Sequence, residues 1–297
     1  MPRDPRFAGA FTAIITPFTA DGSAIDFARL EQQIEFQAAG GVRGIVVAGT
    51  TGESPTLGEH EYPKLLARAA ELARARGLLA IAGTGSNSTA HALELQRIAR
   101  DAGMDATLSV NPYYNKPTQE GLYRHFASIA DAATLPIVLY NIPGRTGVAI
   151  SPATMQRLAK HERIVANKEA TGSTDSATEI AIRCPELALL SGDDSMTLPF
   201  ASVGAVGVVS VVSNLAPAKV SGLCAAFLKG DWNAARALHR ELFDLCRAMF
   251  LETNPIPIKA AMRLLGRDSG SLRLPMTEAS EPTIAAVREA LTRAGLR

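Results

Sequence analysis

Of the seven lysines in the chain, one stands where an amine could act as a nucleophile. Lys168 follows the apolar run Ile164-Val165-Ala166 and precedes Glu169-Ala170-Thr171-Gly172. A short apolar run closed by charges and a Thr-Gly turn signal reads as a buried strand. Lys168 then sits at a strand's carboxyl end, where α/β proteins collect their chemistry. Desolvation there disfavours the ammonium form and leaves a free amine able to form an imine with a carbonyl. The other six (Lys64, Lys116, Lys160, Lys219, Lys229, Lys259) lie in polar or helical-looking surroundings. Taken alone, the stretch fits a strand-end ion pair with Glu169 better than it fits catalysis.

The rest of the chain decides what surrounds this amine. Apolar runs alternate with amphipathic stretches: Ala10–Thr16, Gly44–Ala48, Leu78–Ala82, Ala106–Val110, Ile137–Tyr140, the Lys168 run, Leu187–Leu190 and Val206–Val211. Near-continuous apolar strands imply burial on both faces of a parallel sheet, and eight such units predict a closed (β/α)8 TIM barrel. An open doubly wound sheet fits less well, because no glycine-rich dinucleotide fingerprint follows the first strand. Strand signals stop after about residue 216, so residues 1–224 are read as the barrel and 225–297 as a helical C-terminal extension, broken at Asn254-Pro255-Ile256-Pro257.

Composition narrows the function classes. The 297 residues are 47% hydrophobic and 20% charged, enough for one large core. Thirty basic against 29 acidic residues, a net charge of +1, give no footprint for nucleic acid or an anionic membrane. Three scattered cysteines match no zinc or disulfide pattern, and five histidines show no ligand spacing, so no metal is expected. The N-terminus lacks a signal peptide's apolar core and no apolar run reaches spanning length, which predicts a cytoplasmic protein.

In a barrel every loop after a strand opens on one face. Thr50, Thr51, Tyr113, Tyr114, Tyr140, Arg145, Lys168 and Gly192 therefore share one mouth. Singly each has an ordinary explanation: a turn, a snorkelling phenol, a solvated arginine. Together they put an amine, phenols, a guanidinium and a hydroxyl-rich, anion-holding loop on one rim.

These segments, Gly49-Thr50-Thr51-Gly52-Glu53-Ser54, Pro112-Tyr113-Tyr114-Asn115-Lys116-Pro117, Tyr140 through Gly147, Lys168 through Gly172 and Ser191-Gly192-Asp193-Asp194, resemble the pyruvate-dependent class I aldolase/N-acetylneuraminate lyase superfamily. The likeness runs nearly the whole length, and the Tyr-Tyr pair and Arg145 favour its dihydrodipicolinate synthase branch. That branch condenses pyruvate with L-aspartate 4-semialdehyde in the diaminopimelate and lysine pathway. The resemblance implies catalysis by Lys168, with Tyr140, Thr50 and Tyr114 as a proton relay. Tyr114 would come from a neighbouring subunit of a homotetramer, a dimer of dimers. It further implies substrate binding by Thr51, Arg145, Gly192 and Val209, and no cofactor beyond the imine on Lys168. Ser54, Asn87 and Tyr113 match the family's lysine-effector site. Glu59, Tyr62 and His91 stand there in place of histidine, histidine and glutamate, which points to weak or absent lysine feedback. Asn167 replaces a usual aliphatic residue. Two alternatives stay open: a sister lyase acting on N-acetylneuraminate or a 2-keto-3-deoxy sugar acid, and a catalytically silent barrel that binds a keto acid.

Overall fold

The apolar runs pair side by side in chain order. In the computed structural model, which describes residues 2–296, eight parallel strands close into a barrel in the order β1 to β8. They are β1 (Gly9–Ala13), β2 (Gly44–Val47), β3 (Leu79–Gly83), β4 (Ala106–Val110), β5 (Ile137–Asn141), β6 (Ile164–Glu169), β7 (Ala188–Ser191) and β8 (Gly207–Ser210). The helices are α1 (Phe27–Ala39), α2 (Glu61–Ala75), α3 (Thr89–Asp101), α4 (Gln119–Ala132), α5 (Pro143–Thr146), α6 (Pro152–Leu158), α7 (Thr174–Arg183), α8 (Thr197–Ala201), α9 (Pro217–Leu228), α10 (Trp232–Ala248), α11 (Ile256–Leu264) and α12 (Glu281–Arg293). Among the described residues, no helix is long and apolar enough to cross a membrane.

Closure accounts for the strand composition. Every residue of β1, β2, β5, β6, β7 and β8 is buried, because side chains alternate between a packed interior and the helix layer. Phe11, Val46, Ile81, Leu108, Val138 and Leu190 fill the interior, which makes it a core rather than a pore. Asp26, Ser88, Thr118, Ser151, Ser173 and Asp231 begin their helices by accepting from the third helical N–H. Ser151-Pro152 is the start expected for α6.

The first strand is shorter than its apolar run. Pairing ends at Ala13, and two residues on the Ile15 N–H turns to the Asn214 side-chain oxygen at 3.2 Å. Of the proline-rich break predicted at 254–257, Asn254-Pro255 lies between α10 and α11, while Ile256-Pro257 opens α11. One apolar cluster joins Ile34 of α1, Leu66 of α2 and Val220 of α9 to Leu242, Met262 and Val287 of the last three helices. Residue 224 lies inside α9, and the packing runs on across it.

The two faces of β6 carry opposite polar groups. Lys168 stands in register between Tyr140 on β5 and Leu190 on β7. Asn167 and Glu169 point the other way, so the strand-end ion pair of Lys168 with Glu169 does not form; the pleat forbids it. Glu169 is instead 0% exposed and accepts from Asn167 Nδ2 at 3.0 Å, Asn141 Nδ2 at 3.1 Å and Ser176 Oγ at 3.5 Å. Asn167 thus has a physical account: it donates to a buried carboxyl group, though its own Oδ1 finds no partner.

Asn141 is the hub of this cluster. Its Oδ1 also accepts from the Ile150 N–H at 2.9 Å and Asn111 Nδ2 at 3.2 Å. Asn141→Leu removes a partner from the Ile150 N–H, the Ile150 carbonyl, Asn111 and Glu169, and should cost about 3 kcal/mol or more. Asn167→Leu removes one donor together with an unpartnered oxygen, and its net cost should stay near 1 kcal/mol. Urea unfolding of the two variants gives the ranking; the reverse order would contradict this account.

Candidate active site

The carboxyl ends of the strands surround a cavity of about 100 Å³. Lys168, Tyr140, Thr50, Thr51, Arg145, Gly192 and Asp193 line it, with Phe250 and Asn254 arriving from beyond the barrel. Lys168 is only 6% exposed, and its Nζ lies 3.9 Å from the centre of the Tyr140 ring. Burial pulls its pKa down to about 7, and the nearby Arg145 charge acts in the same direction. Asp194 opposes them. That carboxyl group is itself buried and pushed up by desolvation. It accepts from Ser210 Oγ and from the N–H groups of Val211 at 2.8 Å and Val212 at 3.1 Å, so its lone pairs are occupied away from the amine.

Tyr140 is buried, which pushes its pKa up to about 12; the Arg145 charge and the nearby Thr50 hydroxyl work against that rise. Thr51 Oγ1 accepts from Asn254 Nδ2 at 3.0 Å. Arg145 sits on the one-turn helix α5 at the exposed rim and donates from Nη2 to the Asn254 carbonyl at 3.0 Å. Gly192 has to be glycine: a Cβ there would meet the Ala170 Cβ at 2.7 Å and the Glu169 carbonyl oxygen at 3.0 Å. Its N–H bonds that same Glu169 carbonyl at 2.7 Å, which draws the β7 loop over the lysine.

Other predicted residues lie outside this cavity. Val209 is packed in the barrel interior below it. Tyr114 is 90% exposed, holds a left-handed backbone (φ 73°) and does not line this cavity. Ser54 and Tyr113 line a second cavity of about 350 Å³ that shares Thr50, Arg145 and Asn254 with the first. Asn87, Glu59, Tyr62 and His91 do not line it. Tyr62 is buried and donates to the Gly83 carbonyl at 2.7 Å, His91 stands 3.4 Å from Glu94, and Glu59 is exposed. The Asn87 carbonyl accepts from Asn115 Nδ2 at 2.9 Å.

Asn254, Phe250 and Asp194 were missed as site residues. The acidic pair after β7 was a usable signal for Asp194. Nothing local marks Asn254, which reaches a threonine some two hundred residues away. Lys259, read as an ordinary helical lysine, is fully buried, because α11 turns it onto the β2 loop.

Comparison with known proteins adds an independent line. Residues 6–294 match the Dihydrodipicolinate synthetase family. A 4-hydroxy-tetrahydrodipicolinate synthase of Syntrophobacter fumaroxidans is 49% identical over 98% of this chain and 99% of its own. A dihydrodipicolinate synthase of Cyanidioschyzon merolae, solved with lysine bound, superposes with a TM-score of 0.96 at 41% identity, covering 99% of this chain and 100% of that one. A chloride-inhibited synthase of Acinetobacter baumannii complexed with pyruvate gives 0.95 at 41% identity, over 98% and 99%.

The depressed Lys168 pKa sets a pH dependence. The free amine is the attacking form, so the rate of reductive trapping of a keto acid should climb to about pH 7 and then level off, instead of rising toward 10.5. Stability has a definite sign as well. The unfolded chain keeps this proton up to about 10.5 and the folded chain releases it near 7, so this group makes the fold more stable as pH rises across that window. Lys168→Met should flatten that slope in chemical denaturation; an unchanged slope would count against a dry amine.

Proposed function

The chain belongs to the Dihydrodipicolinate synthetase family, and we propose that Lys168 carries its reaction, the condensation of pyruvate with L-aspartate 4-semialdehyde to 4-hydroxy-tetrahydrodipicolinate. The observation that carries this reading is an amine of depressed pKa stacked on a phenol, in one small cavity with paired threonines and an arginine.

The chemistry follows from these groups. Lys168 Nζ adds to the pyruvate ketone, and loss of water leaves a protonated imine. That iminium draws electrons from the adjacent methyl group, which gives up a proton and becomes an enamine carbon nucleophile. Tyr140 moves the protons. A phenol alone is a weak base, so the relay through Thr50 to Tyr114 of a neighbouring subunit shares the proton along hydrogen bonds. Hydroxyl and backbone groups of Thr50 and Thr51 hold the pyruvate carboxylate. Arg145 meets the carboxylate of the semialdehyde, two oxygens against a planar fork, and so fixes the aldehyde's approach. The backbone carbonyl of Gly192 borders the adduct, with Val209 packed beneath it. The enamine carbon bonds to the aldehyde carbon, the resulting alkoxide takes a proton, and the substrate's amine displaces Lys168 as the ring closes. The imine replaces any cofactor.

The exposed, left-handed Tyr114 supports an assembly in which each site is completed across an interface, a homotetramer built as a dimer of dimers. Three buried, unpaired cysteines support a reducing cytoplasmic compartment.

Pyruvate with borohydride should fix a single adduct on Lys168, and adding the semialdehyde should give turnover in a coupled assay. Arg145→Ala should keep the adduct and lose most of the turnover. An adduct elsewhere, or equal loss of both, would sink the assignment.

Lysine feedback should be weak. His91 stands where a carboxylate would meet the effector's ammonium and supplies no negative charge there, and it already faces Glu94. Lysine at sub-millimolar concentration should leave steady-state turnover unchanged; strong inhibition would refute this.

A further inference from the structure

The buried ion pair between Lys259 and Glu53 is the most unusual electrostatic feature outside the catalytic groups. Lys259 on α11 is 0% exposed and Glu53 after β2 is 3% exposed, with Nζ and Oε1 2.5 Å apart. Lys259 also donates to the Ser271 carbonyl at 2.7 Å and stands 4.1 Å from the centre of the Phe18 ring. Glu53 Oε2 accepts from the Arg273 N–H at 3.1 Å. Two charges withdrawn from water in this way are expensive, and a well-packed apolar pair often does as well for stability. Their value has to be sought elsewhere.

The pair is attached to the turn that presents Thr50 and Thr51. That turn runs through two non-glycine residues in the left-handed region, Ala48 and Glu53, both at φ 53°. Such conformations persist where the surroundings over-determine them. Within the turn the restraints are local: Gly52 N to Gly49 O at 3.1 Å and Glu53 N to Thr50 O at 3.1 Å. From outside, Thr16 Oγ1 donates to the Gly52 carbonyl at 2.7 Å and the Arg273 N–H to Glu53, while Asn254 holds Thr51 and Lys259 holds Glu53 from the segment that starts α11.

We propose that Lys259 is a positioning residue: through Glu53 it locks the Thr50–Thr51 turn in the geometry that binds the keto-acid carboxylate, so the C-terminal helices set the affinity for the first substrate. This rests on the reading of Thr50 and Thr51 given above. The charge pair fixes one turn conformation, and an uncharged pair would keep the fold while letting the turn relax.

The test compares wild type, Lys259→Met and Glu53→Gln/Lys259→Met. Lys259→Met strands a buried carboxylate and should lower the melting temperature. The double variant removes both charges of the pair and should recover part of that loss, the remainder reflecting buried Asp268, which also feels the Lys259 charge. In both variants the KM for pyruvate should rise about tenfold or more, with kcat at saturating pyruvate kept within about threefold. A purely structural role would let KM recover with the melting temperature, and that result, or a double variant that does not fold, would overturn the proposal. The borohydride adduct on wild-type Lys168 is the control. If it forms and the double variant keeps a normal KM, only the positioning role fails. If it does not form, the imine reading falls and this proposal with it.

Discussion

One amine is kept dry, and its proton loosely held, while surrounded by groups that could charge it. Barrel closure supplies the dryness: Lys168 points into an interior filled by Phe11, Val46, Val138 and Leu190, and desolvation is the leading cause of its low pKa. Dryness alone is not sufficient. A carboxylate in contact would restore the ammonium form and end its nucleophilicity. Asp194 is near enough to act on Lys168, but Ser210 and two backbone N–H groups occupy its oxygens. The tyrosine ring gives the amine a neighbour that packs without accepting its proton.

The pleat of β6 makes this separation possible. Within three residues the strand needs a buried carboxyl group and a buried amine that never meet. Alternation sends Glu169 and Asn167 to the helix layer and Lys168 to the interior. On the outer face Asn141, Asn167 and Ser176 donate to Glu169, so the carboxyl group is satisfied locally and does not reach the amine. The cluster ties β5, β6 and α7 together directly behind Tyr140 and Lys168. Tyr140 and Lys168 stay in register because their neighbours Asn141 and Glu169 are bonded to each other.

Much of this was legible before any coordinates. Apolar runs ended by turn signals declared the strands, and eight of them in alternation with helices declared closure. The convergence of Lys168, Tyr140, Thr50, Thr51, Arg145 and Gly192 followed from the rule that loops after strands share one face. Other features depend on side chains that meet only after folding. Asn254 and Lys259 sit on a stretch whose local pattern says only proline break and helix. Their partners, Thr51 and Glu53, look like ordinary turn residues. Periodicity assigns a face to a side chain but cannot say which distant atom waits there. Asn167 was visible as an anomaly, and its partner Glu169, two residues away, was within reach of the same alternation argument.

A (β/α)8 barrel left to itself would be wet at the top, since its loops are short and its mouth is open. Here Phe250 and Asn254 line the cavity from beyond the eighth strand, and Asn254 uses its side chain on Thr51 and its carbonyl on Arg145. The apolar cluster beneath them joins α10, α11 and α12 to α1, α2 and α9, so this roof is anchored on the same core that closes the barrel. The low pKa of Lys168 is therefore a property of the whole chain. Opening the roof would admit water to the amine, return it toward its charged form, and loosen Thr51 and Arg145 in a single movement.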